Sequence, residues 1–330
     1  MFIAKSLQRE GLIQLSFSVQ AKDELARIEE RFCCRVAELA ALVRFNGEVT
    51  GIGTADQRLV LRVSTENAAV ARKVFKCLKD AFELPARVSV RRKARLRKNN
   101  RYAVQVEDGM NLVKALPKLG LTASAGAVKP GYYRKLLSRD CCRRAFLRGA
   151  FLARGSVSSP QSDYHLEIQL DNEADAWDVA EIMQRQSLDA RISTRKRKWV
   201  VYVKDGSQIV DCLNVMGAHA ALLEFENARI YKEMRNQVNR LVNCDTANLN
   251  KTVRASVRQE ELIHLLSDHM GLYKLSPSLR ELAELRLRHP DASLRELGEL
   301  ANPPLSKSCV NHRLRKLEAL ARKVLSGENE

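Results

Sequence analysis

Over the first two thirds of the chain, short runs of alternating apolar and polar residues take turns with stretches whose apolar residues recur every three or four positions. The first period fits half-buried strands and the second fits amphipathic helices. Leu59–Val63 is predicted as a strand, and beyond a Thr-Glu-Asn turn a helix is predicted from about Ala68 to Phe82. Strands over Arg87–Arg91 and Tyr102–Val106 and a short helix over Gly109–Leu116 follow. The same succession then returns: a strand over Tyr164–Leu170, a helix opened by Asn172 and reaching about Gln186, strands over Ala190–Thr194 and Trp199–Val203, and a helix over Ser207–Met216. Ahead of each series stands nearly the same segment, CCRVAELAALVRFNGEVT at 33–50 and CCRRAFLRGAFLARGSVS at 141–158, aligned without a gap at an offset of 108. A Val-x-Asp-Gly step recurs as well, at Val106–Gly109 and Val203–Gly206. Each half therefore reads helix, strand, helix, strand, strand, helix, and two such halves side by side give an α+β domain with pseudo-twofold symmetry.

From Ala220 onward the pattern is helical alone. Leu222–Val242 is predicted as one helix, ending at Asn243-Cys244-Asp245-Thr246, with Thr246 as the cap of a second helix from about Ala247. Ser276 and Pro277 open a further helix to about His289. Ser293 with Glu296 forms a capping box for the next, which runs to Leu300. Asn302-Pro303-Pro304 interrupts the chain, and Ser306 caps a last helix from Lys307 to about Val324 that buries Val310, Leu314, Leu317 and Ala321. Two short helices and a longer basic one fit a helix-turn-helix module, whose last helix lies in the major groove of duplex DNA. On that helix Lys307, Ser308, Asn311, His312 and Arg315 lie opposite the apolar stripe. Ser306, Lys307, Ser308 and Asn311 are placed to reach base edges or phosphates, and Arg313, Arg315 and Lys316 to clamp phosphates.

Charge narrows the partner. Among 330 residues, 56 Lys and Arg stand against 39 Asp and Glu, a formal charge of +17, which points to a polyanion and most simply to nucleic acid. Aromatic residues make up only 5%, which argues against wide base-stacking platforms. Eight basic residues and no acidic one fall between Arg87 and Arg101, and Arg191–Lys198 is the counterpart run in the second half. These runs make Arg91, Arg92, Lys93, Arg95, Arg97, Lys98, Arg195, Lys196, Arg197 and Lys198 candidate phosphate contacts. No apolar run approaches a membrane span, and the opening residues lack the long apolar centre of a signal peptide. Eight cysteines, four of them in adjacent pairs, suggest reduced thiols in a cytoplasm rather than a disulfide framework. Cys33, Cys34, Cys141 and Cys142 should meet near the pseudo-twofold axis. Their spacing is not that of structural zinc sites, so buried thiols are expected, with no metal and no cofactor.

Small residues beside large apolar ones in Leu39–Gly47 and Leu147–Gly155 allow two helices to approach closely. Both segments resemble the LAGLIDADG helices of homing endonucleases, in which the last acidic residue of each helix meets its twin at the axis and binds catalytic metal. The matching positions here are Asn46 and Arg154. Neither is a carboxylate, whereas hard divalent cations need carboxylate oxygens, so loss of nuclease activity is expected.

Nearly the whole chain, from about Ser16 (SFSVQAKDELARI) to Lys323, resembles the WhiA family, most specifically in CCRRAFLRGAFLARGSVSSPQSDYHLEI, EMRNQVNRLVNCDTANLNKT and NPPLSKSCVNHRLRKLEAL. The resemblance implies a degenerate LAGLIDADG-like domain over 16–220, with halves of about 16–120 and 121–220. A linker helix over 221–245 would join it to a helix-turn-helix domain over 246–330, with its motif at about 291–322. Residues 1–15 precede the family's usual start. The resemblance further implies a non-enzymatic, sequence-specific regulator of transcription in sporulation or cell division, bound to double-stranded promoter DNA at the nucleoid in the cytoplasm. Another transcription regulator or RNA polymerase is a further candidate partner of the α+β half. A residual metal-dependent nuclease and an RNA-binding module are the alternatives.

Overall fold

The computed structural model describes residues 16–51, 59–92, 100–121 and 135–326. Two compact units divide the chain, Met1–Lys232 and Glu233–Glu330.

The first unit opens with a helix that the apolar pattern did not suggest, α1 (Phe17–Ala26), capped by Ser16 and burying Phe17, Ala21 and Leu25. The first copy of the repeat follows as α2 (Phe32–Asn46), β1 (Gly47–Thr50), β2 (Val60–Thr65), α3 (Ala68–Phe82), β3 (Ala86–Arg92), β4 (Asn100–Val106) and α4 (Gly109–Lys118). The second copy is α5 (Asp140–Arg154), β5 (Gly155–Val157), β6 (Leu166–Leu170), α6 (Glu173–Gln184), β7 (Arg191–Arg195), β8 (Lys198–Val203) and α7 (Gly206–Met216). Each copy forms a four-stranded antiparallel sheet, in the orders β1-β2-β4-β3 and β5-β6-β8-β7. Alternate residues bury one face of each sheet: Leu61, Val63, Val104 and Val106 in the first, and Leu166, Ile168, Val201 and Val203 in the second.

The duplication extends to the caps. Asn67 and Asn172 accept from the backbone N–H of Val70 and Asp175, at 3.0 and 2.8 Å, and so start α3 and α6 in the same way. The repeated Val-x-Asp-Gly step is a strand end followed by an N-cap aspartate: Asp108 and Asp205 accept from Asn111 and Gln208. Each half nevertheless carries one strand more than predicted, β1 or β5. Gly47 and Gly155 adopt extended backbone, so the chain passes straight from helix into strand. At four and three residues these strands are too short to show alternation.

Helices α2 and α5 pack against each other through the centre of the unit and are buried nearly all round. Gly149 meets Ala41, its counterpart in the other copy: a Cβ on Gly149 would lie 2.9 Å from that of Ala41 and 2.4 Å from the Glu38 carbonyl oxygen.

The break predicted at Asn243–Thr246 is absent: one helix, α8, is continuous from His219 in the first unit to Met270 in the second. No glycine or proline lies between Gly217 and Gly271, and Asn243, Asp245 and Thr246 are exposed. Thr252 bonds back to the Asn248 carbonyl as it does inside a continuous helix. The remaining helices are α9 (Pro277–Arg288), α10 (Leu294–Leu300) and α11 (Lys307–Ser326). They share a core of Ile263, Leu266, Leu282, Leu297, Val310, Leu314, Leu317 and Ala321. The capping box at Ser293 and Glu296 is present in both directions, and Ser306 accepts from the Cys309 N–H at 3.3 Å. Ser276 makes no side-chain cap bond, and Pro277 begins α9 alone.

Candidate nucleic-acid interface

At the carboxy ends of α2 and α5, Asn46 and Arg154 face each other across the pseudo-twofold axis and exchange hydrogen bonds. Asn46 Nδ2 donates to the Ala153 carbonyl at 3.1 Å, and Arg154 Nε donates to the Phe45 carbonyl at 2.8 Å. Each side chain thus satisfies a last-turn carbonyl of the other helix, and the guanidinium adds positive charge where two helix dipoles end negative. The nearby Asp171 is paired with both Lys198 and Arg154. The Lys198 ammonium bonded to it, together with Arg154, holds its carboxyl below the usual range. A cleft of about 880 Å³ opens beside these helix ends, lined among others by Lys22, Arg27, Arg72, Arg101 and Arg154 against Asp23 and Glu66. Burial lowers the Lys22 ammonium to about 8. Cations outnumber anions along this lining, which favours anionic partners.

Behind the same axis lies a buried charge network that is not apparent in the sequence. Arg148 bonds both carboxylate oxygens of Glu38, at 3.1 and 3.2 Å, and also Glu30 at 3.0 Å and the Met216 carbonyl at 3.1 Å. Lys73 completes it, with Nζ 2.9 Å from Glu38 and donating to the carbonyls of Leu25 and Ile28. Glu38 is wholly inaccessible.

Of the predicted phosphate contacts, Arg91 is exposed on β3, an edge strand, and Arg92 closes that strand. Lys93, Arg95, Arg97 and Lys98 lie outside the described residues. Arg195, Lys196, Arg197 and Lys198 form the tip of the β7–β8 hairpin, a two-residue turn with Lys196 and Arg197 at φ of 48° and 62°. Such a turn matches the twist of the strands and puts both long side chains outward. Three of the four cations project from it, while Lys198 is held by Asp171.

In the second unit, Val310, Leu314, Leu317 and Ala321 are buried as expected, and Ser306, Lys307, Ser308, His312, Arg315 and Lys316 are exposed. Asn311 is half-buried at the edge of this face. Arg313 is half-buried, and one N–H of its guanidinium donates to the Ser278 carbonyl at 3.2 Å, which ties α11 to the start of α9. Glu318 accepts from Arg258 and Arg322, and the amino half of α11 carries exposed Lys307, Arg315 and Lys316. The Pro-rich connection before α11 is pulled tight by the Leu305 N–H bond to the Gly298 carbonyl, 2.8 Å long. A Cβ on Gly298 would come within 2.2 Å of the Leu305 oxygen. The result leaves the amino end of α11 open to solvent, with Lys307, Ser308 and His312 exposed on its first turns.

The four paired cysteines come together as expected, with all Sγ atoms within 4.8 Å of one another. Cys34 and Cys142 are buried, but Cys141 is exposed and Cys33 only partly covered. Burial pushes the Cys142 thiol up to about 12 and raises Cys34 as well. At Cys33 burial is outweighed by hydrogen bonds from Cys34, Cys142, Cys141 and Arg139, which lower it.

Known proteins are similar to this chain in sequence and in fold. Sequence profiles of the WhiA N-terminal LAGLIDADG-like domain, the WhiA LAGLIDADG-like domain and the WhiA C-terminal HTH domain match residues 32–122, 143–235 and 238–321. The chain is 59% identical over 313 residues to the probable cell division protein WhiA of Desulforudis audaxviator, covering 94% of this chain and 98% of that protein. It is 54% identical to that of Desulforamulus reducens, covering 95% and 98%. The crystal structure of full-length DUF199/WhiA from Thermatoga maritima is similar with a TM-score of 0.56 at 25% identity, covering 94% of this chain and 99% of that one. Among the described residues no helix is long and apolar enough to cross a membrane.

Proposed function

Because the chain belongs to the WhiA family, we propose that it is a sequence-specific DNA-binding regulator of cell division or sporulation that acts on transcription and does not cleave DNA. The observation that carries this reading is the amino half of α11, where exposed Lys307, Ser308, Arg315 and Lys316 surround Asn311 on a helix braced by its own core. In this reading residues 246–330 bind promoter DNA through a motif at about 291–322. The domain over 16–220 adds phosphate contacts from Arg91 and the Arg195–Arg197 hairpin, and the 221–245 segment joins the two. The protein then works in the cytoplasm at the nucleoid. Its α+β half is also the part that would meet another regulator or RNA polymerase.

Anisotropy titrations of full-length protein against promoter and random duplexes test the reading. Asn311→Ala should lose about 1–3 kcal/mol of discrimination at one base position, while Arg315→Ala should weaken both duplexes alike and reduce the salt slope by about one. Equal losses on both duplexes from every α11 variant would remove base readout from the proposal, and tighter binding to an RNA competitor would replace it.

The proposed lack of cleavage rests on Asn46 and Arg154, whose donors occupy the helix-end carbonyls where metal-binding carboxylates would have to stand. Supercoiled plasmid incubated with the protein and magnesium or manganese should stay intact. Cutting that disappears on replacement of a single acidic residue would contradict it.

A further inference from the structure

We propose that Cys33, Cys34, Cys141 and Cys142 are the four ligands of one zinc ion, which clips the amino ends of α2 and α5 together. The distances carry this assignment. Zinc–thiolate bonds are about 2.3 Å long and tetrahedral, which places the sulfurs about 3.8 Å apart. Cys33 and Cys34 Sγ are 3.8 Å apart, and every pair among the four lies within 4.8 Å. That spacing suits a single ion, whereas an iron–sulfur cluster spreads its thiolates over several iron atoms. A disulfide within either pair is disfavoured, because neighbouring Cα atoms sit about 3.8 Å apart and disulfides want about 4.4–6.8 Å.

The surroundings suit a dianionic centre. Each cysteine pair occupies the second and third residues of its helix, at the positive end of the dipole, with Arg35 next in sequence to the first pair and Arg31 and Arg139 at the caps, while Asp140, just before Cys141, is paired with Arg143. Binding exchanges four S–H protons for four Zn–S bonds and releases those protons to solvent. Exposed Cys141 and partly covered Cys33 leave a route for the ion. The remaining cysteines take no part in the cluster. Thirteen helical steps, about 20 Å, separate Cys33 from Asn46, so the clip fastens the two copies at the end away from the degenerate catalytic positions.

Full-length protein purified under reducing conditions should contain about one zinc per chain by mass spectrometry of the metal. Replacing that zinc with cobalt should give strong sulfur-to-cobalt charge-transfer absorption and the visible bands of a tetrahedral site. Cys141→Ser, at the exposed ligand, should lose most of the zinc, while Cys244→Ser, outside the cluster, should keep it. A chelator should lower the melting temperature of the wild type and of Cys244→Ser, and leave Cys141→Ser unmoved. Should Cys141→Ser misfold, the wild-type cobalt spectrum decides alone. Reduced protein that takes up no stoichiometric zinc and shows no thiolate–cobalt band would overturn the assignment. So would bound iron with inorganic sulfide, a disulfide joining the two pairs in freshly lysed cells, or undiminished zinc in Cys141→Ser.

Discussion

Glu38→Ala is expected to lower the melting temperature of the first unit by about 10 °C, since breaking a buried pair costs about 3–5 kcal/mol and each kcal/mol moves a unit of this size by roughly 2–4 °C. Glu38 is the anion on which two buried cations converge, Arg148 from α5 and Lys73 from α3. Burial works against the Arg148 guanidinium, but Glu38 and then Glu30 outweigh it and raise its pKa. Without Glu38, among the described residues Arg148 keeps Glu30 and the Met216 carbonyl, and Lys73 keeps two carbonyls and no ion-pair partner. The uncompensated charge sets the loss rather than the missing bonds. Glu38→Ala combined with Lys73→Met and Arg148→Met should therefore recover part of the stability, as apolar replacement of a whole buried network often does. Thermal unfolding followed by circular dichroism measures both. A shift below about 2 °C for Glu38→Ala alone would mean that water or a side-chain rearrangement reaches the two cations.

How much of this was legible beforehand depended on whether a residue's partner lay close in sequence. The duplicated order of elements, the caps at Asn172, Ser293 and Ser306, and the apolar stripe of α11 all follow from neighbours within a turn or two, and they stand where the sequence put them. Glu38 did not reveal itself. In Ala37-Glu38-Leu39-Ala40 it looks like the wet face of an amphipathic helix, and only because α2 is covered on every side does it become a buried charge. The alignment of the copies holds the one clue, since Glu38 matches Phe146 and Arg148 matches Ala40. Opposite charges at unmatched positions of a repeat can meet across its axis. Asn46 and Arg154 show a similar limit. Loss of the carboxylates was plain, but their reciprocal bonds go to backbone carbonyls 107 and 109 positions away, which no side-chain pattern records. The uninterrupted α8 marks the opposite error: Asn, Asp and Thr can cap a helix or sit exposed within it, and without glycine or proline the second outcome prevailed.

Gly149→Val should be the most damaging single substitution at the interface between the two copies, leaving the protein insoluble or melting at least 10 °C below the wild type. The reason is where the obstruction lies. Overpacked cores usually relax by turning a side chain, at about 1–3 kcal/mol. Here even the Cβ falls 2.4 Å from a backbone oxygen, that of Glu38, in a helix fixed at one end by Arg154 and along its length by the Glu38 network. The helices must separate, and separation would stretch the Arg148–Glu38 bonds and the exchanged bonds of Asn46 and Arg154 together. Gly149→Ala isolates the first step. It should already destabilise, although alanine is worth about 1 kcal/mol more than glycine inside a helix. Adding Ala41→Gly removes the 2.9 Å contact with the opposing Cβ but leaves the carbonyl in place. The double variant should therefore regain little. Full recovery would show that the Ala41 side chain sets the closeness of the two helices and that the Glu38 carbonyl can move aside. Destabilisation in both variants would mean that the backbone approach itself requires glycine at position 149.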